Sequence, residues 1–300
     1  MKQTLLARFF KELKERQKQN TNAQPIDITH IAKSGILGAI IGDIVGSTHE
    51  FLQTKSTDFD LYTDNNHYTD DSVMTIAVAE WILTAPRPID NSTLPMIMRK
   101  WGQKYPWAGY GRMFKRWLVS PYEDDRHPYN SFGNGAGMRV SACGFFAKSL
   151  DEALHLAKLS AEVSHNHPEG IKGAQAIAAA IFLARQHQPK ENIREYIARQ
   201  FGYDMNRSCD GIRPDYEFNE TCQGSCPEAI IAFLDSTNFE DAIRLAVSLG
   251  GDADTIGAMT GGIAAAYYGI PDKIARKAIE YLPEDMKEIL VRFNKISLEY

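Results

Sequence analysis

Residues 35–50 read GILGAIIGDIVGSTHE, a stretch in which glycine recurs every four residues, at Gly38, Gly42 and Gly46. Positions four apart lie on the same side of a helix. Because glycine weakens a helix, a stripe of it indicates that a second backbone packs closely there or that a site is built there. The stretch therefore predicts a buried helix in close contact with another. Its apolar run is too short to span a membrane, and it carries Asp43.

Apolar residues recur with helical spacing through most of the remaining chain, and convincing alternating strands are almost absent. Ser149, Pro227 and Pro271 are interpreted as residues that begin helices, whereas 84–92 and 102–138 are predicted to be loops. The sequence predicts an all-α protein of many packed helices. The predicted helices are 71–83, 93–101, 150–163, 170–187, 190–200, 227–234, 239–249, 255–268 and 272–294.

The 300 residues are 44% hydrophobic and 24% charged, which excludes disorder, collagen and a coiled coil as the main structure. The net charge of −5 argues against nucleic-acid binding through bulk positive charge. Four cysteines are too few for a disulfide scaffold, and no signal peptide or membrane-spanning run is recognised. We therefore expect a cytoplasmic protein that has neither nucleic acid nor membrane as a partner.

Residues 1–30 are predicted to be an N-terminal helical extension and linker, separate from a main domain of residues 31–300. Two interpretations of the extension remain open. Its helix packs on the domain, or it is an arm that binds a partner protein. Its apolar residues recur at helical spacing opposite a basic face: Leu5, Leu6, Phe9, Phe10 and Leu13.

Two acidic clusters each begin an apolar helix. The first is TDD at 69–71, and the second is DADT at 252–255, directly after two glycines. Each offers two carboxylates and a hydroxyl without Cys or His, so the clusters suit Mg²⁺, Mn²⁺ or Ca²⁺ better than Zn²⁺. Taken singly, each is more simply interpreted as a helix cap. If the clusters meet, their four carboxylates would repel one another unless a cation neutralises them, so convergence would imply a metal site.

Three other polar features are candidates for substrate contact. The run SFGNGAGMR at 131–139 offers backbone N–H groups that could cradle a phosphate, with Arg139 as a charge partner, although an ordinary flexible loop fits it as well. His165 and His167 are more simply capping or hydrogen-bonding residues than metal ligands, and a substrate-facing role stays open. Glu50 could orient water or a substrate hydroxyl if it lies near a metal.

Taken together and in this order, the motifs resemble the ADP-ribosylglycohydrolase family. That family includes the dinitrogenase reductase-activating glycohydrolase and the ADP-ribosyl-acceptor hydrolases. The resemblance runs from Gly35 to Pro271, and Gly137 departs from it where many members have alanine. The matching pieces are GAIIGDIVGSTHEF, YTDDSVMTIAVAEWIL, SFGNGAGMRV, SHNHPEGIKGAQAIAAAI, CQGSCPEAIIAFLDS and SLGGDADTIGAMTGGIAAAYYGIP.

The resemblance implies a compact multi-helix orthogonal bundle around a central dinuclear site for two divalent cations, Mg²⁺ or Mn²⁺. It implies the metal ligands Thr69, Asp70, Asp71, Asp252, Asp254 and Thr255. It implies substrate-binding roles for Ser131, Phe132, Gly133, Asn134, Gly135, Met138, Arg139 and His165. We expect one of Glu50, Asp70 and Asp71 to steer the attacking water, and the sequence does not rank them.

The implied activity is hydrolysis at the anomeric carbon of the distal ribose, which releases ADP-ribose from a modified protein side chain. Arginine with an N-glycosidic link is the first choice of acceptor, and serine with an O-glycosidic link is the alternative. A second alternative is a bacterial immunity protein that binds an ADP-ribosylating toxin through residues 1–30, with or without hydrolysis. A third is a protein that only binds ADP-ribose.

Overall fold

The structure is a computed structural model that describes residues 31–32, 34–122 and 126–297. Within these ranges it contains helices and an isolated β-bridge between Gly133 and Thr221, but no strand. The prediction of an all-α protein is therefore confirmed. The helices are α1 Leu37–Gly46, α2 Asp70–Thr84, α3 Leu94–Lys104, α4 Arg112–Val119, α5 Gly135–Met138, α6 Ser141–Phe146, α7 Leu150–Glu162, α8 Pro168–Arg185, α9 Lys190–Phe201, α10 Cys209–Ile212, α11 Cys222–Asp235, α12 Phe239–Ser248, α13 Ala253–Tyr268, α14 Asp272–Ile279 and α15 Glu284–Ser297.

Helices α1 and α13 form the centre of the fold. Every residue of α1 is buried, and so is α13 from Ala253 to Ala266. The glycine stripe of α1 faces α13 so closely that a Cβ added to Gly42 would overlap the carbonyl group of Gly257. A Cβ added to Gly257 would in turn come within 2.5 Å of the Gly42 carbonyl oxygen. The close helix contact predicted from the glycine spacing is confirmed.

The remaining helices surround this pair. Helices α8, α11 and α12 pack against α13, while α2 and α14 pack against α1. One continuous cluster of buried apolar side chains joins them. The N-termini of α2 and α13 and the C-terminal half of α1 meet at one end of the central pair, and this meeting point positions the candidate site.

The sequence predicts a loop over 102–138, and this prediction is wrong. The segment contains α4 and the short α5. In α4, Phe114, Trp117 and Leu118 form a buried face, which is the usual pattern of a helix on a protein surface. The glycines, prolines and tyrosines on either side of this eight-residue helix obscure its periodicity.

One proline assignment and one predicted helix are also wrong. Pro227 lies inside α11, which begins at Cys222 after Thr221 accepts a hydrogen bond from the N–H of Gly224 (3.2 Å). The single helix predicted over 272–294 is two helices, α14 and α15, because Pro283 separates them. Pro271 does precede a helix, α14, but that helix is not the last.

One predicted helix start is confirmed, and one predicted segment lies outside the described residues. The Ser149 hydroxyl accepts a hydrogen bond from the N–H of Glu152 (3.1 Å) and begins α7 as predicted. None of the described helices is both long and apolar enough to cross a membrane. The predicted extension, residues 1–30, lies outside the described residues, so both interpretations of it stay predictions.

Candidate active site

The two acidic clusters open into one cavity of about 640 Å³. Helix α2 begins directly after Thr69, and α13 begins directly after Asp252. The structure thus brings together two chain segments that lie far apart in sequence. All six polar residues of the two clusters line the cavity: Thr69, Asp70, Asp71, Asp252, Asp254 and Thr255.

The carboxylates form two overlapping triads. Carboxylate oxygens of Asp43, Asp71 and Asp254 all lie within 4.8 Å of one another, and so do those of Glu50, Asp252 and Asp254. Asp254 belongs to both triads. Two groups of oxygen ligands with a shared carboxylate have the composition that a pair of hard divalent cations requires.

Crowding and burial act together on these groups. Burial, reinforced by neighbouring carboxylates, raises the pKa of Asp71, Asp252 and Asp254 well above the usual aspartate value. The same causes raise the pKa of Glu50 and Asp70 to about 8. An anionic cluster of this kind is unstable alone at neutral pH, and a bound cation would restore the ionised state.

The residues present fit such a cation. Oδ1 of Asp71 is buried and has no hydrogen-bond partner among the described residues, whereas its Oδ2 accepts a hydrogen bond from the Thr255 hydroxyl (3.2 Å). An unpartnered buried carboxylate oxygen is costly. The donor set consists of carboxylate and hydroxyl oxygens, which Mg²⁺ and Mn²⁺ prefer.

Asp43 is the site residue that the sequence reasoning missed. It lies in the middle of α1 and accepts hydrogen bonds from the backbone N–H (2.9 Å) and hydroxyl (2.8 Å) of Thr69 and from the N–H of Ser72 (3.0 Å). The Ser72 hydroxyl donates to it as well. Asp43 therefore joins the central helix to the start of α2. Its signal was visible: it is the only charged residue in an apolar stretch.

The glycine-rich turn forms another wall of the cavity, but most of its backbone amides are already engaged. The N–H of Gly133 donates to the Ser131 hydroxyl (3.1 Å), and the N–H of Asn134 donates to the Glu220 carbonyl (2.8 Å). The amides at 136–138 bond within the turn. The expected row of free N–H groups is therefore not present. The turn's lining residues are Ser131, Gly133, Asn134, Gly135, Met138 and Arg139.

Of the two predicted substrate-contact residues Phe132 and Asn134, only Asn134 lines the cavity. Phe132 is exposed, does not line the cavity, and places its ring 5.3 Å from that of His167. The side-chain amide of Asn134 donates to Oδ2 of Asp252 (2.7 Å) and to the Ser225 hydroxyl (3.1 Å). Asn134 therefore orients an acidic residue of the second cluster.

Arg139 and His165 are linked through Ser164. Arg139 is fully buried, and Nη2 donates to the Ser164 hydroxyl (3.0 Å), which lies 2.8 Å from Nδ1 of His165. Within the part of the chain that the structure describes, the Nε and Nη1 atoms of Arg139 have no hydrogen-bond partner. Burial lowers the pKa of Arg139 to about 10, so it stays charged at neutral pH, and burial also lowers the pKa of His165 well below its usual value.

Similarity to known proteins fits this geometry. A sequence model described as ADP-ribosylglycohydrolase matches residues 25–297. The chain belongs to the ADP-ribosylglycohydrolase family. Membership in this family and the hydrolase names of its relatives show that the chain is a glycosyl hydrolase.

The relatives of this ADP-ribosylglycohydrolase include animal and bacterial proteins. The mouse ADP-ribosylhydrolase ARH3 is 28% identical, with 78% of this chain and 83% of the relative covered. The ADP-ribosylarginine hydrolase Tri1 of Pseudomonas putida (strain GB-1) is 27% identical, and the match covers 80% of this chain and 71% of the relative. A solved ADP-ribosylglycohydrolase-related protein complex has a TM-score of 0.67 at 23% identity, over 90% of this chain and 99% of that chain, which supports the fold.

One departure of this ADP-ribosylglycohydrolase from the family pattern has a local explanation. The resemblance sets Gly137 against an alanine, and a Cβ added there would come within 2.9 Å of both the Cys226 and the Met259 sulfur atoms. These two sulfur atoms fill the space that an alanine methyl group would need. The departure therefore affects packing beneath the turn and not the lining of the cavity.

A second residue missed by the sequence reasoning holds the Glu50 loop. The Lys55 ammonium donates to the backbone carbonyls of Tyr216 (2.7 Å) and Leu249 (2.5 Å). Leu249 lies directly before the two glycines that lead to Asp252. Lys55 therefore ties the loop that carries Glu50 to the loop that carries the second acidic cluster.

Proposed function

We propose that this ADP-ribosylglycohydrolase cleaves the N-glycosidic bond between ADP-ribose and a modified arginine of a protein, with the help of two divalent cations, Mg²⁺ or Mn²⁺. The observation that carries the proposal is the pair of carboxylate triads that share Asp254 in one cavity. The similarity to the ADP-ribosylarginine hydrolase Tri1 supports arginine as the acceptor.

The acidic clusters would hold the cations. Asp71 is the strongest candidate ligand because its free Oδ1 is buried in the cavity wall. The other candidate ligands are Thr69, Asp70, Asp252, Asp254 and Thr255. When bound, divalent cations of this kind polarise water and bind ribose hydroxyls.

We assign Glu50 the role of steering the attacking water. Asp71 has one oxygen occupied by the Thr255 hydroxyl, and Asp70 and Asp71 both begin a packed helix. Glu50 instead lies on a loop at the cavity wall, with a side chain that is part-exposed. With its neighbours neutralised, its carboxylate accepts a proton from water.

The bonds and protons then balance. The water oxygen forms a bond to the anomeric carbon while the bond from that carbon to the guanidine nitrogen breaks. Glu50 takes a proton from the water and delivers it to the departing guanidine nitrogen, which restores the Glu50 carboxylate. Nearby carboxylates stabilise the positive charge that develops on the ribose ring.

Arg139 and His165 would hold the rest of ADP-ribose. The Ser164 hydroxyl accepts from Arg139, so its own hydrogen is free to be donated to Nδ1 of His165. Neutral His165 then carries its proton on Nε2, which faces the turn near Gly133 and Gly135. That N–H and the free nitrogens of Arg139 suit phosphate oxygens.

The test is release of free ADP-ribose from an ADP-ribosylated arginine protein, with Mg²⁺, with Mn²⁺ and with chelator. We expect release that requires the metal. A serine-linked protein is measured alongside, because O-linked serine is the alternative acceptor. Cleavage of only the serine-linked protein would overturn the assigned acceptor, and cleavage of neither would overturn the function.

A further inference from the structure

Three exposed aromatic side chains stand at the mouth of the cavity. Phe51 is 77% exposed, Trp107 is 54% exposed and Phe218 is 43% exposed, and all three line the cavity. We call them the collar. Large apolar side chains exposed together around a cavity usually mark a binding surface, and nothing in the proposed reaction on ADP-ribose uses them.

Two collar residues border the acidic end of the cavity. Phe51 directly follows Glu50 in the chain. Trp107 precedes Ala108, whose carbonyl accepts a hydrogen bond from the N–H of Asp70 (2.7 Å). The ammonium of Lys115 lies 5.4 Å from the centre of the Trp107 ring.

The third collar residue reaches the same end from another segment. Phe218 lies two residues before Glu220, whose carbonyl accepts from Asn134, and Asn134 in turn holds Asp252. All three collar residues are thus tied to acidic residues of the candidate metal site.

The position of the collar identifies its ligand. The reacting ribose carbon must lie at the acidic end, so the leaving group projects outward past the collar. We infer that the collar binds the modified arginine side chain and the polypeptide segment that flanks it. This inference rests on the proposed function and deepens it.

The chemistry of the collar suits that ligand. Guanidinium groups stack on aromatic faces, and tryptophan is the strongest partner. Glu50 and Glu220 line the cavity and attract a cationic group. Arg112 on the same lining and Lys115 beside Trp107 offset part of that attraction, so the aromatic faces are the main source of binding. Free ADP-ribose has no guanidinium group to stack on them.

The experiment compares two substrates with the same glycosidic bond. One is ADP-ribosylarginine as a free amino acid derivative, and the other is a peptide of about ten residues that carries it. For Trp107→Ala, we expect kcat/KM on the peptide to fall about tenfold or more, while kcat/KM on the small substrate falls much less. Trp107→Phe should recover most of the loss.

A matched control comes from elsewhere on the surface. Met96 is 67% exposed and does not line the cavity, so Met96→Ala should leave both values unchanged. Phe51→Ala and Phe218→Ala should repeat the selective loss. Equal losses on both substrates, or no loss on either, would overturn the inference.

Two further readouts separate this inference from its alternatives. If wild-type protein cleaves neither substrate, the proposed function fails, and the collar is judged by binding of the same peptide. Peptide binding no tighter than that of free ADP-ribose would overturn the inference, and tighter binding that Trp107→Ala removes would support it. A dimer that Trp107→Ala dissociates would show that a second copy covers the collar, which would also overturn it.

Discussion

The floor of the cavity and its rim are built in different ways. The floor consists of Asp71 and Asp254, with Asp43 directly behind them, and all three are buried on helices. The rim consists of Glu50 and the collar, which lie on loops and are partly or largely exposed. Packed helices fix side chains more firmly than loops do, and loops change more readily. The comparison teaches that the candidate cation ligands are anchored in the core, while Glu50 and the proposed acceptor surface lie on loops.

The two regions are also stabilised by different contacts. The floor depends on direct backbone contact between α1 and α13, which only glycine permits. The rim loop is held by long cationic side chains on carbonyls: Lys55 on Leu249, and Arg244 on Phe59 (2.7 Å). Single changes should therefore have large effects on the floor and graded effects on the rim.

The largest expected effect is on activity, from a change in the floor. Asp71→Asn removes one charge and the candidate ligand oxygen, so kcat should fall on the order of 10³-fold. Metal affinity, measured by titration calorimetry, should fall in parallel. Asp58→Asn, on the exposed rim loop, serves as the control and should change kcat little. An Asp71→Asn protein with wild-type metal-dependent turnover would contradict the assigned role of this residue.

The next effect is on stability. Gly42→Ala forces a methyl group into the carbonyl of Gly257, and we expect the free energy of unfolding to fall by about 2–4 kcal/mol. Denaturant unfolding measures this change. Gly111→Ala is the control, because a Cβ there meets no atom within 4 Å. If Gly42→Ala lowers the free energy of unfolding no more than Gly111→Ala does, α1 and α13 can move apart to accept the methyl group without loss of stability.

Metal removal should destabilise the floor in a pH-dependent way. A carboxyl whose pKa is raised in the folded state stabilises the fold while protonated, and this contribution is lost as pH rises through the folded pKa. For Asp70 the folded pKa is about 8, so metal-free protein should lose stability between about pH 4 and pH 8. The difference in Tm between Mg²⁺ and chelator should therefore be larger at pH 8 than at pH 6.

The control for this measurement is Asp254→Asn, which removes the carboxylate common to both triads. In that variant the Mg²⁺-dependent difference in Tm should shrink at both pH values. If the Tm difference between Mg²⁺ and chelator in the wild-type protein stays constant or narrows as the pH rises, protons and a cation do not compete for these carboxyl groups, and their assignment is contradicted.

The smallest expected effect lies on the rim. Lys55→Met removes the two hydrogen bonds that Lys55 donates to the carbonyls of Tyr216 and Leu249. We expect kcat to fall by about three- to tenfold, while the KM for substrate changes less. Lys55→Arg keeps a cationic donor and should restore most of the rate. Thermal unfolding of both variants should stay close to wild type. A loss of kcat that Lys55→Arg fails to recover would show that Lys55 does not act by holding the loop.

The sequence predicted the floor better than the rim. Glycine spacing and helix-starting acidic clusters are local patterns, so the helix contact and the two clusters were recognisable without coordinates. Asp43 was missed because a lone charge in an apolar run has no motif of its own. The collar residues and Lys55 could not be found, since they converge only through loops whose course no periodicity determines.

The mutual contact of Gly42 and Gly257 limits how this lineage can change. A larger residue at either position collides with the backbone of the other position. Because glycine has no side chain to shorten, a second substitution cannot relieve the collision. The two positions should thus stay glycine together, while the collar positions exchange side chains freely as acceptors change. Heritable variation in this protein would then collect around the leaving group and spare the groups that break the bond.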